Sequence, residues 1–131
     1  MTEAEKRMHR CCFTGHRPEK LAMSERQTVK ELEIAIRQAI ADGFNVFISG
    51  MAPGVDIWAA EIVLRLRDKE KLPIKLIAAN PHPNFIERWP KWSRRYNAIM
   101  EAADLTRDIC DGYKRGVYQI RNEWMVDHSQ G

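Results

Sequence analysis

An α/β fold built on a parallel sheet is what this sequence predicts, and three observations carry it. Short apolar runs bounded by turn residues alternate with longer stretches of helical periodicity. The order strand, helix, strand, helix is regular along the chain, which is the signature of a parallel sheet joined by crossover helices. Two of the strand runs end in glycine-containing turns, placed where open α/β sheets bind ligands.

The first strand is "RCCFT", Arg10 to Thr14, and it leads into the turn "FTGHRPEK", Phe13 to Lys20. Ser24 then stands as an N-cap, and Val29, Leu32, Ile36 and Ile40 follow at helical spacing until "DG" ends the run. "NVFIS" (Asn45 to Ser49) is the second strand, and "ISGMAPGVDIWAAE" carries it through a turn into a helix beginning near Pro53 to Val55. Val55, Ala59, Ile62, Val63 and Leu66 form that helix's stripe, and Pro73 blocks its continuation. "IKLIAA" (Ile74 to Ala79) is the third strand and "DLTRDIC" (Asp104 to Cys110) the fourth. Between them, Phe85, Trp89, Trp92, Tyr96, Ile99 and Met100 mark a third helical stripe. Tyr118 to Val126 marks a fourth, after which the alternation calls for another strand where the chain reads "DHSQG". The right-handed crossover rule turns this order into a doubly wound, Rossmann-like three-layer sandwich. We expect a single domain over residues 1–131, with residues 1–8 flexible, and a sheet in the order 3-2-1-4 that brings the two glycine turns together over the central strands.

Composition narrows the function classes. The 131 residues are 44% hydrophobic and 30% charged, enough for one core. A formal charge of +3 allows an anionic small ligand and falls short of the basic balance of a nucleic-acid binder. "MTEAEKRMHR" has no apolar h-region, and no run approaches the roughly 18 apolar residues of a membrane span. Cys11, Cys12 and Cys110 are odd in number, and no His or Cys lies at zinc spacing. A cytoplasmic protein with reduced thiols and no metal is the expectation.

The turns carry the candidate chemistry. Gly15 permits positive φ or close backbone approach, and His16 and Arg17 follow it, the arginine well placed to pair with a phosphate. An ordinary loop with a solvated cation is the competing reading. In the second turn, Gly50 and Gly54 flank "MAP". A glycine-rich strand-to-helix turn presents free N–H groups at the positive end of the helix dipole. Asp56, in the first helical turn, caps loop amides or accepts a sugar hydroxyl. The spacing matches neither GxGxxG nor GxxxxGK[ST], so tight-turn roles for both glycines stand beside binding.

"SGMAPGVDIWAAE" resembles the SG-x-A-x-G-[IV]-D turn of the SLOG superfamily, which includes DNA-processing protein A and the LOG phosphoribohydrolases. "CCFTGHRPEKL", "ERWPKWSRRYNAIMEAAD" and "YQIRNEWMVDHS" are similar to successive segments of its YpsA-like branch, and the four blocks cover nearly the whole chain from Cys11 to Ser129. The resemblance implies a Rossmann-like fold and a pocket for a nucleotide-derived ligand such as ADP-ribose or NAD. By motif it carries Gly15, His16 and Arg17 into the first ligand-facing loop, and Ser49, Gly50, Gly54 and Asp56 into the second. The branch continues past its "WMVDHS" block with a further strand and glycine turn, which this sequence lacks.

Other constellations compete less well. Trp89, Trp92 and Tyr96 share helical spacing with Lys91, Arg94 and Arg95 turned away, which reads as an amphipathic helix with its cations in water. The alternative is a single-stranded DNA platform. Asn122 and Asp127 could reach a ribose or base, or could simply be exposed. Glu61 follows Asp56 by five residues and so off its face, a poor acid–base pair, and nothing resembles the "PGGxGTxxE" block of the LOG enzymes. His82, between prolines, reads as the most exposed lone histidine. The expected function is therefore a ligand-binding or sensing module rather than an enzyme. A nucleotide hydrolase of nucleosidase type, using Asp56 or Glu61, and single-stranded DNA binding are the alternatives. A sheet without its last strand has an open edge, from which a homo-oligomer is expected.

Overall fold

The computed structural model of the chain describes residues 10–13, 24–110, 112 and 117–129. Four parallel strands form one sheet: β1 (Arg10–Phe13), β2 (Val46–Ser49), β3 (Lys75–Asn80) and β4 (Leu105–Asp108). Helix α1 (Glu25–Ala41) joins β1 to β2, and α2 (Val55–Lys69) joins β2 to β3. Two 3₁₀ turns (Phe85–Arg88 and Pro90–Trp92) and α3 (Ser93–Ala102) join β3 to β4, and α4 (Val117–Asp127) follows.

Local chemistry explains the elements. Ser24 caps α1 through a capping box: its hydroxyl accepts from the Gln27 amide, and the Gln27 side chain accepts from the Ser24 amide. Strand alternation splits the sheet into two faces. Phe47, Leu76 and Ala78 point toward α1, α2 and α3, where Ile36, Ile57, Val63, Leu66 and Ile99 complete the larger core. Ile48, Ile77 and Ala79 point the other way, onto Met125 of α4. Helices therefore lie on both faces, and the three-layer Rossmann-like arrangement holds. Among the described residues no helix is long and apolar enough to cross a membrane.

The strand order departs from expectation. It is 1-2-3-4, not 3-2-1-4: β4 pairs with β3, in the register Ile77↔Leu105, rather than with β1. Right-handed crossovers that all step in one direction deposit their helices on one face, which is why α1, α2 and α3 pack side by side. The layer switches faces only at α4. The third helical stripe also differs, because Pro90 interrupts it: Phe85 to Trp92 winds as two 3₁₀ turns, and α-helix begins only at Ser93.

Candidate functional site

The turn between β2 and α2 is tied from within by two side chains. Buried Ser49 donates its hydroxyl proton to the Asp56 carbonyl at 2.9 Å, and its oxygen accepts the Met51 amide at 3.2 Å. Oδ2 of Asp56 accepts the Ala52 amide at 3.2 Å. These contacts hold Met51 at φ 63°, a left-handed conformation rare for a residue with a side chain, while that side chain is fully buried in the larger core. Gly54 stands at φ 96° and ψ −128°, backbone open to glycine alone, and it starts α2 with no side-chain cap. The N-cap of α2 thus offers no side chain to the first amides of the helix.

Gly50 is a close-approach glycine. A Cβ there would stand 2.9 Å from Asp56 Oδ2 and 3.0 Å from Arg121 Nε. Arg121 reaches over from α4, donating from Nη1 to the Gly50 carbonyl at 3.0 Å and from Nε and Nη2 to Asn122 Oδ1 at 3.2 and 3.0 Å. Ser49, Gly50, Gly54 and Asp56 share this one turn, and Arg121 joins Asn122 to it through the Gly50 carbonyl. Gly15, His16 and Arg17, predicted for the same site, lie outside the described residues.

Asp56 is 2% exposed, and burial pushes its carboxyl up to about 7 against the opposing pull of the Arg121 charge and the Ala52 amide. Its Oδ1 has no hydrogen-bond partner among the described residues. Of the two roles predicted for Asp56, the Ala52 contact makes it a cap of the loop; its burial sets it beneath the turn.

A second polar cluster closes the adjacent end of β3. Asn80 Nδ2 donates to Asp108 Oδ1 at 2.9 Å and to the His82 carbonyl at 2.6 Å, and Asn80 Oδ1 accepts from the Tyr96 hydroxyl at 2.7 Å. Burial, and secondarily the Asp108 charge, push the Tyr96 hydroxyl up to about 12. His82 is buried at 4% exposure, edge-on to Phe85 at 6.1 Å, which corrects the expectation of an exposed histidine. Sequence periodicity placed Tyr96 in an apolar stripe and gave Asn80 no mark; the strand-end position of Asn80 was the one available signal.

Two further expectations change. Glu61 is held by Arg95 in a two-pronged contact, at 2.6 and 2.9 Å, and so is engaged away from Asp56. Arg95 is not turned away from the aromatics: its guanidinium lies 5.2 Å from the centre of the Trp92 ring. Among the described residues, no three His, Cys, Asp or Glu side chains are grouped to hold a metal.

Comparison with known proteins matches residues 11–131 to the model of the YspA SLOG family. A UPF0398 protein of Oceanobacillus iheyensis is 33% identical over 126 residues, covering 88% of this chain and 67% of that protein. One of Macrococcus caseolyticus is 31% identical over 132 residues, covering 91% of this chain and 69% of that protein. One of Halalkalibacterium halodurans is 33% identical over 105 residues, covering 78% and 55%. The chain thus spans about two thirds of the first two relatives' length and a little over half of the third's.

Proposed function

The chain belongs to the YspA SLOG family, and from that premise we propose that it binds a nucleotide-derived anion, of the ADP-ribose or NAD type, at the turn between β2 and α2. The observation that carries this reading is the start of α2. Gly54 leaves the helix end uncapped, so its amides and dipole favour an anionic group such as a pyrophosphate. Asp56 and Ser49 hold the loop in that shape from below. Arg17, in the "TGHR" segment, is proposed as the phosphate partner and Asn122 as a contact from α4. The protein acts as a sensor or binding module in the cytoplasm.

One observation favours a second reading, a hydrolase of nucleosidase type. A buried carboxyl whose pKa is pushed up to about 7 is poised for general acid–base work. Glu61 is already committed to Arg95, which leaves that role to Asp56.

Calorimetric titration with ADP-ribose, NAD, AMP and CMP tests both readings. We expect saturable binding of ADP-ribose or NAD, weakened at least tenfold (about 1.4 kcal/mol) by Gly54→Ala and by Arg17→Ala. No binding of any of the four by the wild-type chain defeats the proposal. Chromatography of the titrated ligands reads the second: cleavage that disappears in Asp56→Asn would make the protein an enzyme, and intact ligands would exclude that reading for these four.

A further inference from the structure

Two side chains on one face of helix α4 reach the rest of the fold in different ways. Met125 packs into the smaller core, and Arg121, one helical turn earlier, crosses to the turn between β2 and α2. The arginine is buried, and its Nη1 donates to the buried Gly50 carbonyl at 3.0 Å. A Cβ at Gly50 would stand 3.0 Å from Nε and 3.2 Å from Cζ, tighter than side chains ordinarily pack. The missing side chain at Gly50 therefore makes room for the chain's own guanidinium.

That contact falls on one peptide unit. The Gly50 carbonyl and the Met51 amide belong to the same planar group. Arg121 holds its oxygen end, while Ser49 Oγ accepts its amide at 3.2 Å and is itself fixed by donating to the Asp56 carbonyl at 2.9 Å. Rotation of the plane would change ψ of Gly50 and φ of Met51 together, and Met51 stands at φ 63°. A left-handed φ on a residue with a side chain persists only where the surroundings over-determine it. Of the two hydrogen bonds on the plane, that from Arg121 is the one supplied by another element, 71 positions along the chain. Without it a buried carbonyl loses this donor, and turning the plane over is the available relief.

We propose that Arg121 is the positioning residue of this turn: by holding the Gly50 carbonyl it fixes the Gly50–Met51 peptide plane, and so makes the entrance to α2 depend on the seating of α4. What this means for a bound anion rests on the ligand-binding reading above; the positioning itself does not. Amide exchange followed by nuclear magnetic resonance tests it on the full chain, without ligand, in Arg121→Met and Arg121→Lys. Methionine keeps much of the aliphatic stem and removes every donor, whereas lysine restores a donor of similar reach. The Met51 amide should exchange about tenfold faster in Arg121→Met while the amides of α1 hold their rates, with Arg121→Lys in between. The Met51 α-carbon shift, which reports φ, should move in the same order. An arginine that only stabilised the fold would speed exchange in every element in step with a fall in the urea midpoint. That uniform outcome overturns the proposal, as does a Met51 unchanged in Arg121→Met. Should Arg121→Met fail to fold, Arg121→Lys decides alone: Met51 faster than in the wild type with α1 unchanged supports the proposal, and Met51 unchanged overturns it. Titration with inorganic pyrophosphate separates the two readings. A wild type that binds it should lose about tenfold in affinity in Arg121→Met, and an unchanged affinity overturns the link to the α2 entrance. A wild type that binds none, with Met51 behaving as expected, defeats the ligand reading and leaves the positioning standing.

Discussion

Asp56 sets the energetics of the turn it supports. Its folded-state pKa, about 7, lies above the ordinary carboxylate value of 3.8, so between those limits the native state binds more protons than the unfolded one. Stability contributed by this group is therefore full below about pH 4 and is lost as pH rises through 7. Three pKa units correspond to at most roughly 4 kcal/mol. Urea unfolding at pH 5 and pH 8 should show the wild type weaker at the higher pH, and Asp56→Asn should remove most of that difference. Equal slopes in the two proteins would mean that the carboxyl ionises without penalty. Little of this was legible in the sequence. "GVD" announces a helix start, but burial and the approach of Arg121 from 65 positions downstream leave no local signature.

Legibility improves where an element's own side chains decide it. Ser24 and the stripe Val29, Leu32, Ile36, Ile40 located α1 correctly because capping and periodicity are short-range properties. The stripe from Phe85 to Met100 misled, because the same spacing serves a 3₁₀ segment broken at Pro90 and a true helix from Ser93. It also hid Tyr96, whose ring packs as an apolar side chain while its hydroxyl serves Asn80 at the end of β3. Tyr96→Phe removes that donor and leaves a buried amide oxygen short of its partner. The expected loss is about 1–3 kcal/mol, read from the urea midpoint, with circular dichroism unchanged. A neutral result would show that water replaces the hydroxyl.

For the whole molecule, the α/β class and parallel sheet follow from the alternation of patterns, whereas strand order does not. Nothing in "DLTRDIC" distinguishes β1 from β3 as its neighbour; the choice is made by which face the connecting helix packs on. The asymmetry between the faces has an energetic corollary. The larger core rests on three helices, the smaller on Met125 and a few neighbours. Met125→Ala should cost about 2–5 kcal/mol and speed amide exchange throughout α4 while leaving α2 protected. Uniform loss of protection would mean that the two layers unfold as one.

The sequential strand order also bears on how the chain reaches this state. Each strand pairs only with its neighbours along the chain, so every pairing closes a loop on the order of thirty residues and none waits for the distant ends to meet. Each strand–helix–strand unit can therefore close on its own, without waiting for the others. Helix α4 needs β2 and β3 already side by side before Met125 has anywhere to go. We expect it to lock last, so that in a chevron plot Met125→Ala raises the unfolding limb while the refolding limb stays where it was.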